Sequence, residues 1–375
     1  MDEKTGEEAD QLKVMFWNLE NFFDFIDGGA GESDAEFSSR GPRRWTKKRF
    51  YRKCHAVAKT ILWAGSAGFG TGRLPGRGNN GGSQEGTGMG TGLPDIVGVA
   101  EVENRFVLRQ LVSKTALRKL DYEIVHYDSP DPRGIDCALL YRGSRLTLVS
   151  AQPCSVSAPG LQTRDILLAQ FLTRAGDSLA VLVNHHPSKY GGGETDWRRE
   201  VAVARLRALG DSLAAAGWPR AIAVGDFNDV PDNALFRRLE PTFSLCRGIL
   251  TSREALSDGN AFGDRGLQGN YPFEGRKGES FQNAGENSRQ GSLPRGSIRF
   301  NGEWQLIDLC FVSPALADAA SFLVLEPPFL TERDAAHSGD KPLRTYSGPR
   351  YLGGVSDHRP ILVSLLLSES SKEWR

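Results

Sequence analysis

The chain has few cysteines, no long apolar run and no excess of charge of either sign. Its five cysteines are odd in number, widely spaced and free of CxxC pairs, which argues against a disulfide framework and against a zinc site. No stretch approaches the roughly 18 consecutive apolar residues of a transmembrane helix. The 46 basic and 46 acidic residues cancel, so an attraction to nucleic acid has to be local rather than a property of the whole chain.

Signals for secretion and for nucleotide binding are missing as well. Met1–Gly6 is polar and lacks the apolar core of a signal peptide. We therefore expect a cytoplasmic protein as the sequence stands, or a secreted or periplasmic one if a signal peptide has been removed. The glycines of residues 65–92 are not followed by Gly-Lys-Ser or Gly-Lys-Thr, so they do not match a phosphate-binding loop.

Hydrophobic periodicity predicts three helices and a larger number of strands. Apolar residues recur at helical spacing over Thr46–Trp63, Asn104–Leu120 and Thr195–Ala216. Short apolar runs predict strands at Leu12–Trp17, Asp95–Ala100, Tyr122–Tyr127, Cys137–Tyr141, Leu146–Val149, Ile166–Leu172, Leu179–Asn184, Ala221–Gly225, Leu306–Val312, Phe322–Leu325 and Ile361–Leu367. Many strands with few helices between them favour an α+β or layered sandwich architecture over regular βαβ alternation.

Two glycine-rich stretches, residues 65–92 and 275–302, interrupt this pattern. Their composition is typical of flexible loops. Polar strand-end motifs lie on both sides of each stretch, so we interpret the two stretches as insertions within one domain rather than as interdomain linkers. The expected domain spans residues 11–367, with residues 1–10 and 368–375 as tails.

Polar side chains recur at the ends of the predicted strands. They stand in Phe16-Trp17-Asn18, at Glu101, in Asn184-His185-His186, in Gly225-Asp226-Phe227-Asn228 and in Ser356-Asp357-His358. A sheet holds such side chains in fixed positions, which is how many active sites are built. The repetition therefore predicts an active site at the strand ends.

Glu101 follows the apolar run Ile96–Ala100. A carboxylate at the end of a buried strand suits a hard cation such as Mg²⁺, which binds one or two carboxylates, water and substrate phosphate. The alternative is an acid that favours the N-terminus of the helix beginning near Asn104. Glu103 is close by and is interpreted as a structural residue.

Asp226 and Asn228 flank Phe227. In an extended strand, residues two apart point the same way, so a carboxylate and a carboxamide would converge. The carboxylate can orient or deprotonate a water molecule, and the amide can donate to a phosphoryl oxygen. The alternative is an Asx-rich turn before Pro231.

Histidines and a buried acid complete the set of candidates. His185 is placed to bond a phosphate oxygen, whereas His186 is expected at the surface of a turn before Pro187. Asp308 lies inside an apolar run and has to be paired if it is buried. His358 is the candidate partner, because an Asp–His pair fixes the tautomer of the ring and raises its basicity. Alternatively, Asp308 accepts only backbone N–H groups.

A basic cluster surrounds Trp45, at Arg43, Arg44, Lys47, Lys48, Arg49, Arg52 and Lys53. Such a cluster can contact a phosphate backbone. A solvated helix face is the favoured interpretation, because Phe50, Cys54 and Val57 already supply the core face of this helix.

In this order, the motifs resemble those of the endonuclease/exonuclease/phosphatase superfamily, which has the fold of pancreatic deoxyribonuclease. The matching residues, spread over residues 11–367, are Asn18, Glu101, His185, Asp226, Asn228, Asp308, Asp357 and His358. A bacterial branch is similar in further elements, at Trp45–Arg49, Arg133–Asp136, Asn184–Ser188 and Lys341–Tyr346. Two departures are His186, where an aromatic such as Trp is expected, and an insertion that separates Tyr271 from Trp304.

The resemblance implies a four-layer α/β (α+β) sandwich, with two packed, mostly antiparallel sheets flanked by helices. It also implies metal-dependent hydrolysis of a phosphoester. Glu101 would bind Mg²⁺ or Mn²⁺, with Asn18 and Asp357 nearby. Asp226 would activate water, Asn228 and His185 would stabilise the phosphoryl oxygens, and His358 with Asp308 would act as general acid/base or phosphate donor. Weaker candidates for substrate or phosphate binding are Arg133, Asp136, Lys189 and Arg344.

Three functional interpretations are open at this point. A nuclease, endo or exo, is favoured and needs a basic groove, for which the candidates are residues 43–53, Arg133, Lys189, Arg198, Arg199 and Arg344. The alternative is a phosphatase or phosphodiesterase for inositol phosphates, sphingolipids or other small phosphoesters, with the two insertions roofing a pocket. A non-catalytic binding relative is the third possibility. We expect a monomer whose partner is a phosphoester substrate, DNA or RNA among the candidates.

Overall fold

A computed structural model describes residues 10–28, 31–66, 92–189, 192–246 and 296–367. Most of the first glycine-rich stretch, much of the second, Tyr271 and nearly all of both tails lie outside these described residues. The division into one domain with insertions and tails stays a prediction.

The helices are α1 (Lys47–Ser66), α2 (Arg105–Lys114) and α3 (Asp196–Ala215). The strands of the described residues are β1 (Asp10–Phe22), β2 (Ile96–Val102), β3 (Tyr122–His126), β4 (Asp136–Arg142), β5 (Leu146–Cys154), β6 (Ile166–Thr173), β7 (Ser178–His185), β8 (Ala221–Asp226), β9 (Ser244–Leu245), β10 (Ile298–Phe300), β11 (Glu303–Gln305), β12 (Asp308–Val312), β13 (Ala320–Val324), β14 (Thr331–Arg333), β15 (Asp340–Pro342), β16 (Tyr346–Ser347), β17 (Arg350–Tyr351) and β18 (Ile361–Leu367).

Two six-stranded sheets form the centre of the fold. The first has the order β13-β18-β1-β2-β4-β3 and the second β5-β6-β7-β8-β12-β9. Each contains one parallel pair, β1 with β2 and β7 with β8, and its other pairs are antiparallel. The predicted mostly antiparallel arrangement is confirmed.

Alternation of side chains along β1 separates two hydrophobic layers. Leu12, Val14 and Phe16 belong to the layer between the sheets, whereas Met15 and Trp17 face α1 and α2. Such period-two burial on both faces is what a strand covered on both sides requires. On the far side of the second sheet lies α3. Its buried residues pack on that sheet and belong to the same continuous hydrophobic cluster as the residues between the sheets. The order of layers is helix, sheet, sheet, helix, and the predicted four-layer sandwich is confirmed.

Gly98 of β2 lies where the two sheets approach each other. A Cβ added there would lie 3.1 Å from Val183 Cγ2 and 3.4 Å from Phe16 Cδ2, closer than side chains normally pack. Glycine at this position therefore allows β2 of the first sheet to approach β7 of the second, only three residues before Glu101.

The three predicted helices and each predicted strand are present, with shifted ends. The helix expected over Asn104–Leu120 stops at Lys114 and continues as a 3₁₀ turn over Ala116–Lys119. β5 runs past its predicted end to Cys154. The prediction was too short because β5 is an edge strand, in which exposed residues and Pro153 interrupt the apolar pattern. The two- and three-residue strands are too short to show a periodicity in the sequence.

None of the described helices combines the length and the apolar composition that a membrane-spanning helix requires.

Candidate active site

The polar ends of the central strands of both sheets meet at one edge of the sandwich. β1 and β2 supply Asn18 and Glu101, and β7 and β8 supply His185 and Asp226. Asp308 opens β12 and lies opposite Asp226 in the ladder. A hydrogen bond from Asn18 Nδ2 to Asp226 Oδ2 (3.0 Å) joins the two sheets here. The candidate site is therefore built from both halves of the fold.

A bulge directs Glu101 out of the regular ladder. Asn18 pairs with Ala100 and Phe22 pairs with Val102, so residues 19–21 of β1 face Glu101 alone. Glu101 has a φ of 61°, a left-handed conformation that is uncommon for a residue with a side chain. Its Oε2 accepts the backbone N–H of Asn21 (2.8 Å). Bulges re-aim side chains next to active sites, and backbone strain gathers there too.

Two carboxylate oxygens converge on the same pair of neutral groups. Asn18 Nδ2 lies 3.4 Å from Glu101 Oε1 and 3.0 Å from Asp226 Oδ2. His185 Nε2 lies 3.7 Å from each of these oxygens. Burial, helped by two nearby arginines, holds the pKa of His185 well below its usual value, so the ring is neutral at neutral pH. In this direction the two acids therefore face neutral groups, while His358 Nε2 approaches Asp226 Oδ2 from another part of the site (3.8 Å).

Asp226 is poised to exchange a proton near neutral pH. Burial and the nearby Asp308 raise its pKa to about 7, against the opposing effects of His358 and of hydrogen bonds from Asn228 and Asn18. A carboxyl group that titrates near the working pH is suited to general acid–base chemistry. The preceding Gly225 is required by space, since a Cβ there would lie 2.3 Å from the carbonyl oxygen of the neighbouring strand.

His358 and Asp308 form the pair that the sequence predicts. His358 Nδ1 lies 2.7 Å from Asp308 Oδ2, and His358 Nε2 lies 3.8 Å from Asp226 Oδ2. Burial disfavours the protonated ring, but the carboxylates of Asp308, Asp226 and Asp357 outweigh it and raise the pKa of His358 well above its usual value. The imidazole is therefore a cation at neutral pH, with Nε2 turned toward Asp226.

Asp357 is a second carboxylate near His358 Nε2. Its Oδ2 is 3.0 Å from Arg344 Nη2, and its Oδ1 is 4.0 Å from His358 Nε2. Arg344 is also bonded to Glu20 (2.9 Å). Among the contacts of the described residues, Asp357 meets Arg344 and His358 rather than Glu101.

Asn228 does not extend the strand, and the expected convergence with Asp226 through extended backbone is wrong. Asn228 has a φ of 50°, and its backbone N–H bonds Asp226 Oδ1 (2.9 Å). This is the Asx turn that the sequence offered as the alternative. The side-chain Nδ2 donates to the carbonyl of His186 (2.9 Å), so Asn228 ties the end of β8 to the end of β7.

His186 is buried, and the surface position expected for it is wrong. Only 1% of the residue is exposed, and its ring lies 4.6 Å from the ring of Phe227. Burial and the cations of Arg164 and Arg199 lower its pKa to about 3. The imidazole therefore fills an aromatic position in the core, which fits the aromatic side chain expected there by resemblance.

Of the weaker candidates, Arg133, Lys189 and Arg344 lie on three loops, and Asp136 begins β4. Asp136 uses Oδ1 for the N–H and hydroxyl of Ser129 (2.8 and 2.6 Å) and Oδ2 for His126 Nε2 (3.0 Å), so it holds the loop that carries Arg133. Arg133 is partly exposed and lies 3.5 Å from Asp131.

Lys189 pairs with the buried Asp229 at 2.6 Å. Arg133, Lys189 and Arg344 are therefore cations that each pair with an acid.

Arg164 is a buried residue of the site that the sequence analysis missed. Its Nε and Nη2 donate to the carbonyls of His185 (2.8 Å) and His186 (2.6 Å), and its Nη1 donates to Asp131 (3.0 Å). It therefore fixes the backbone that presents His185. The only signal in the sequence was a charged pair, Arg164-Asp165, directly before an apolar strand.

Lys53 was expected on a solvated helix face and Arg199 was a candidate for a basic groove, and both expectations are wrong. Lys53 is 1% exposed, and its Nζ donates to the carbonyl of Glu20 (2.8 Å) and to Thr345 Oγ1 (2.9 Å). Lys53 lies three residues after Phe50, on the buried stripe of α1, and this spacing could have revealed it. Arg199 is 2% exposed and pairs with Asp229 (3.3 Å), so it cannot line a groove.

The donor set fits a hard divalent cation. Glu101 and Asp226 provide converging carboxylate oxygens, the ligands that Mg²⁺ and Mn²⁺ prefer, whereas the Asp357 carboxylate is held by Arg344 (3.0 Å). The five cysteines are buried and free. Asn18 at present turns its Nδ2 toward the acids and its Oδ1 toward the N–H of Glu20 (2.9 Å). Its amide would have to reverse for Oδ1 to bind a cation.

A second set of donor atoms belongs to Asp226, Asp308 and His358, whose potential ligand atoms lie within 4.8 Å of one another. The short Asp308–His358 hydrogen bond occupies the Nδ1 atom of the ring. This set therefore serves better as a hydrogen-bonded relay than as a metal centre.

Comparison with known proteins identifies the family. The profile of the endonuclease/exonuclease/phosphatase family matches residues 86–242 and 280–366. The chain belongs to this family, whose members are phosphoester hydrolases. No curated protein matches the chain.

Two solved structures show the same fold. The catalytic domain of human nocturnin, with a bound sulfate anion, is 14% identical, covers 96% of this chain and 95% of its own, and has a TM-score of 0.52. An endonuclease/exonuclease/phosphatase family protein from Bacteroides thetaiotaomicron is 16% identical, covers 97% of this chain and 100% of its own, and has a TM-score of 0.51. At these identities the likeness concerns the fold alone.

Proposed function

We propose that this chain is a Mg²⁺- or Mn²⁺-dependent phosphodiesterase that hydrolyses nucleic acid. The observation that carries the proposal is the convergence of Glu101 and Asp226 on a neutral amide and a neutral imidazole, beside the cationic His358. Two acids this close repel each other when both are ionised, and a divalent cation between them would offset that repulsion beyond what His358 does for Asp226. A phosphoester brings the oxygens that complete such a site.

In this proposal Glu101 holds the divalent cation, with Asp357 and a reversed Asn18 amide nearby. When bound, the cation would offset negative charge on the phosphoryl group. Asp226 orients the attacking water and takes its proton, which its pKa of about 7 allows near neutral pH.

The remaining residues act on the charge that develops around phosphorus. His358, protonated and held by Asp308, donates from Nε2 to a phosphoryl or leaving-group oxygen. An amide NH₂ group has two hydrogens, so Asn228 can bond the His186 carbonyl and still donate to a phosphoryl oxygen. His185, neutral and buried, lines the same point.

A second candidate function is hydrolysis of a small phosphoester, such as an inositol phosphate or a sphingolipid headgroup. The observation that favours it is that three exposed or partly exposed cations are paired with acids: Arg133 with Asp131, Lys189 with Asp229, and Arg344 with Glu20 and Asp357. Paired cations attract a polyanion less strongly than free ones do.

A substrate panel separates these functions. Plasmid DNA, single-stranded RNA, inositol phosphates and sphingomyelin are each incubated with the protein, with and without Mg²⁺ or Mn²⁺. Cation-dependent cleavage of either nucleic acid that is lost in Asp226→Asn supports the proposal. Cleavage of a small phosphoester alone supports the second candidate. No turnover of any substrate, or equal turnover by the variant, would refute both.

A further inference from the structure

Arg344 lies between two carboxylates at the rim of the candidate site. Its Nε and Nη2 are both 2.9 Å from Glu20 Oε1, and Nη2 is also 3.0 Å from Asp357 Oδ2. The guanidinium is a rigid plane, so contacts on these two nitrogens fix the orientation of the whole group. Nη1 takes part in neither contact, and the side chain is 46% exposed.

Glu20 is held far more tightly than the arginine it binds. Its side chain is 10% exposed, and its second oxygen, Oε2, accepts the backbone N–H of Thr345 (3.0 Å). Its carbonyl oxygen accepts a hydrogen bond from the buried Lys53 (2.8 Å). Glu20 is therefore a fixed support, and Arg344 is the more exposed partner whose orientation it sets.

The backbone at Glu20 is strained in a way that serves this support. Glu20 and Asn21 have φ values of 48° and 55°, and they lie in the bulge that opposes Glu101. A left-handed backbone conformation is unfavourable for residues with a side chain. The bulge turns the Glu20 carboxylate toward Arg344, whereas a regular strand would keep it in the alternation of β1.

The same sheet offers a structural counterpart at its opposite end. Asp95, just before β2, binds Arg145 Nε with Oδ1 (3.1 Å) and the backbone N–H of Lys13 with Oδ2 (2.9 Å). Asp95 is buried, like Glu20, but its arginine contacts no proposed catalytic residue among the described contacts. At Glu20, by contrast, the bound arginine, Arg344, also contacts Asp357, which lies next to His358.

We propose that Glu20 is a positioning residue. It holds Arg344 so that the free N–H groups of the arginine bind a phosphoryl oxygen of the substrate, while Arg344 Nη2 restrains Asp357. This inference rests on the proposed function, because it assigns Arg344 to the phosphate of that substrate. It adds the residue that makes the arginine competent, which the motifs of the chain did not indicate.

The test uses inorganic phosphate as the probe, in isothermal titration of the full chain with Mg²⁺ present. Glu20→Gln and Arg344→Lys are each expected to weaken phosphate binding by about tenfold, in the range of a charge-assisted hydrogen bond. The phosphate affinity of the double variant is expected to lie within about twofold of that of the weaker-binding single variant, because both changes disrupt the same Glu20–Arg344 contact. Asp95→Asn is the matched control and is expected to leave phosphate affinity unchanged.

The inference is overturned by unchanged affinity in Glu20→Gln, or by losses in the two single variants that multiply in the double. A fall in affinity of Asp95→Asn equal to that of Glu20→Gln would also overturn it, because the effect would then be structural. If Glu20→Gln fails to fold, Glu20→Asp retains the charge but shortens the reach, and the same coupling with Arg344→Lys is the criterion.

The experiment separates this inference from the proposed function. Coupled loss of phosphate binding without hydrolysis of any panel substrate would refute the function and leave the Glu20–Arg344 unit standing. Cation-dependent hydrolysis together with unchanged phosphate affinity in Glu20→Gln would do the reverse. With an active substrate, Glu20→Gln is expected to raise KM by a larger factor than it lowers kcat.

Discussion

His358 and Asp308 share a short hydrogen bond in which the ring Nδ1 lies 2.7 Å from the carboxylate Oδ2. Asp308 is fully buried, so the contact fixes both the tautomer and the orientation of the imidazole. Nε2 is thereby presented to the point where Asp226 lies, 3.8 Å away.

The first prediction is that these two residues act as a unit. Asp308→Ala and His358→Ala are each expected to lower kcat by about a hundredfold, as removal of a general acid or of its orienting partner does. The double variant should be only slightly slower than the slower single variant, since residues that share one task are non-additive. The measurement is kcat of the four proteins on one substrate. Losses that multiply would show that the residues act independently.

The second prediction concerns the residue that activates water. Asp226→Asn should lower kcat by about a hundredfold or more, because the amide cannot accept the proton. The matched control is Asp177→Asn, another buried aspartate, which pairs with Arg220 (3.2 Å) away from the site. Circular dichroism should show both variants folded. Turnover of Asp226→Asn close to that of the parent would remove Asp226 from the mechanism.

The third prediction is a requirement for an oxygen-preferring divalent cation at Glu101. Excess EDTA should abolish hydrolysis, and Mg²⁺ or Mn²⁺ should restore it. Independently of activity, a cation that binds the folded chain should raise its melting temperature, and this rise should be smaller in Glu101→Gln. Full hydrolysis in EDTA, or an equal rise in both proteins, would contradict the prediction.

The fourth prediction follows from the buried His186. Its folded pKa is lowered to about 3 by burial, then by Arg164 and Arg199, from an ordinary value of 6.5. Above pH 6.5 the ring is neutral in both states and costs no stability, whereas below pH 6.5 the unfolded chain takes up a proton that the folded chain does not accept until about pH 3. Stability is therefore lost as the pH falls from 6.5 toward 3, by at most about 1.4 kcal/mol per pH unit.

His186→Phe should retain the contact with Phe227 and remove this pH dependence. Urea unfolding at pH 7.5 and pH 5.0 should show a smaller loss of stability in the variant than in the parent. Equal losses in the two proteins would mean that His186 is already accessible to protons in the folded chain.

Short apolar runs and helical periodicity made most of this fold predictable. The central strands and the three helices carry their period in their own residues, and several strand ends are marked by polar groups such as Asn18 and Asp226. The pairing of Asp308 with His358 could be expected, because a carboxylate inside an apolar strand needs a partner.

The missed features are those in which a local pattern hides a tertiary partner. Lys53 looked solvated because lysines usually are, yet its ammonium group bonds a carbonyl and a hydroxyl under the site. The bulges at Glu20 and Glu101 depend on the register between β1 and β2, which no single segment records. Arg164 gave almost no signal, since its partners are carbonyl groups, which every residue has.

Gly98 links the spacing of the two sheets to the geometry of the candidate site. The Asn18–Asp226 hydrogen bond spans the two sheets, and the absent side chain at position 98 sets how near the sheets come, three residues from Glu101. An added methyl group would act as a wedge, with displacements felt first where the two sheets exchange hydrogen bonds. Catalysis would then respond to changes in core packing that are too small to unfold the chain. The turnover rate would therefore report such changes more sensitively than the melting temperature does.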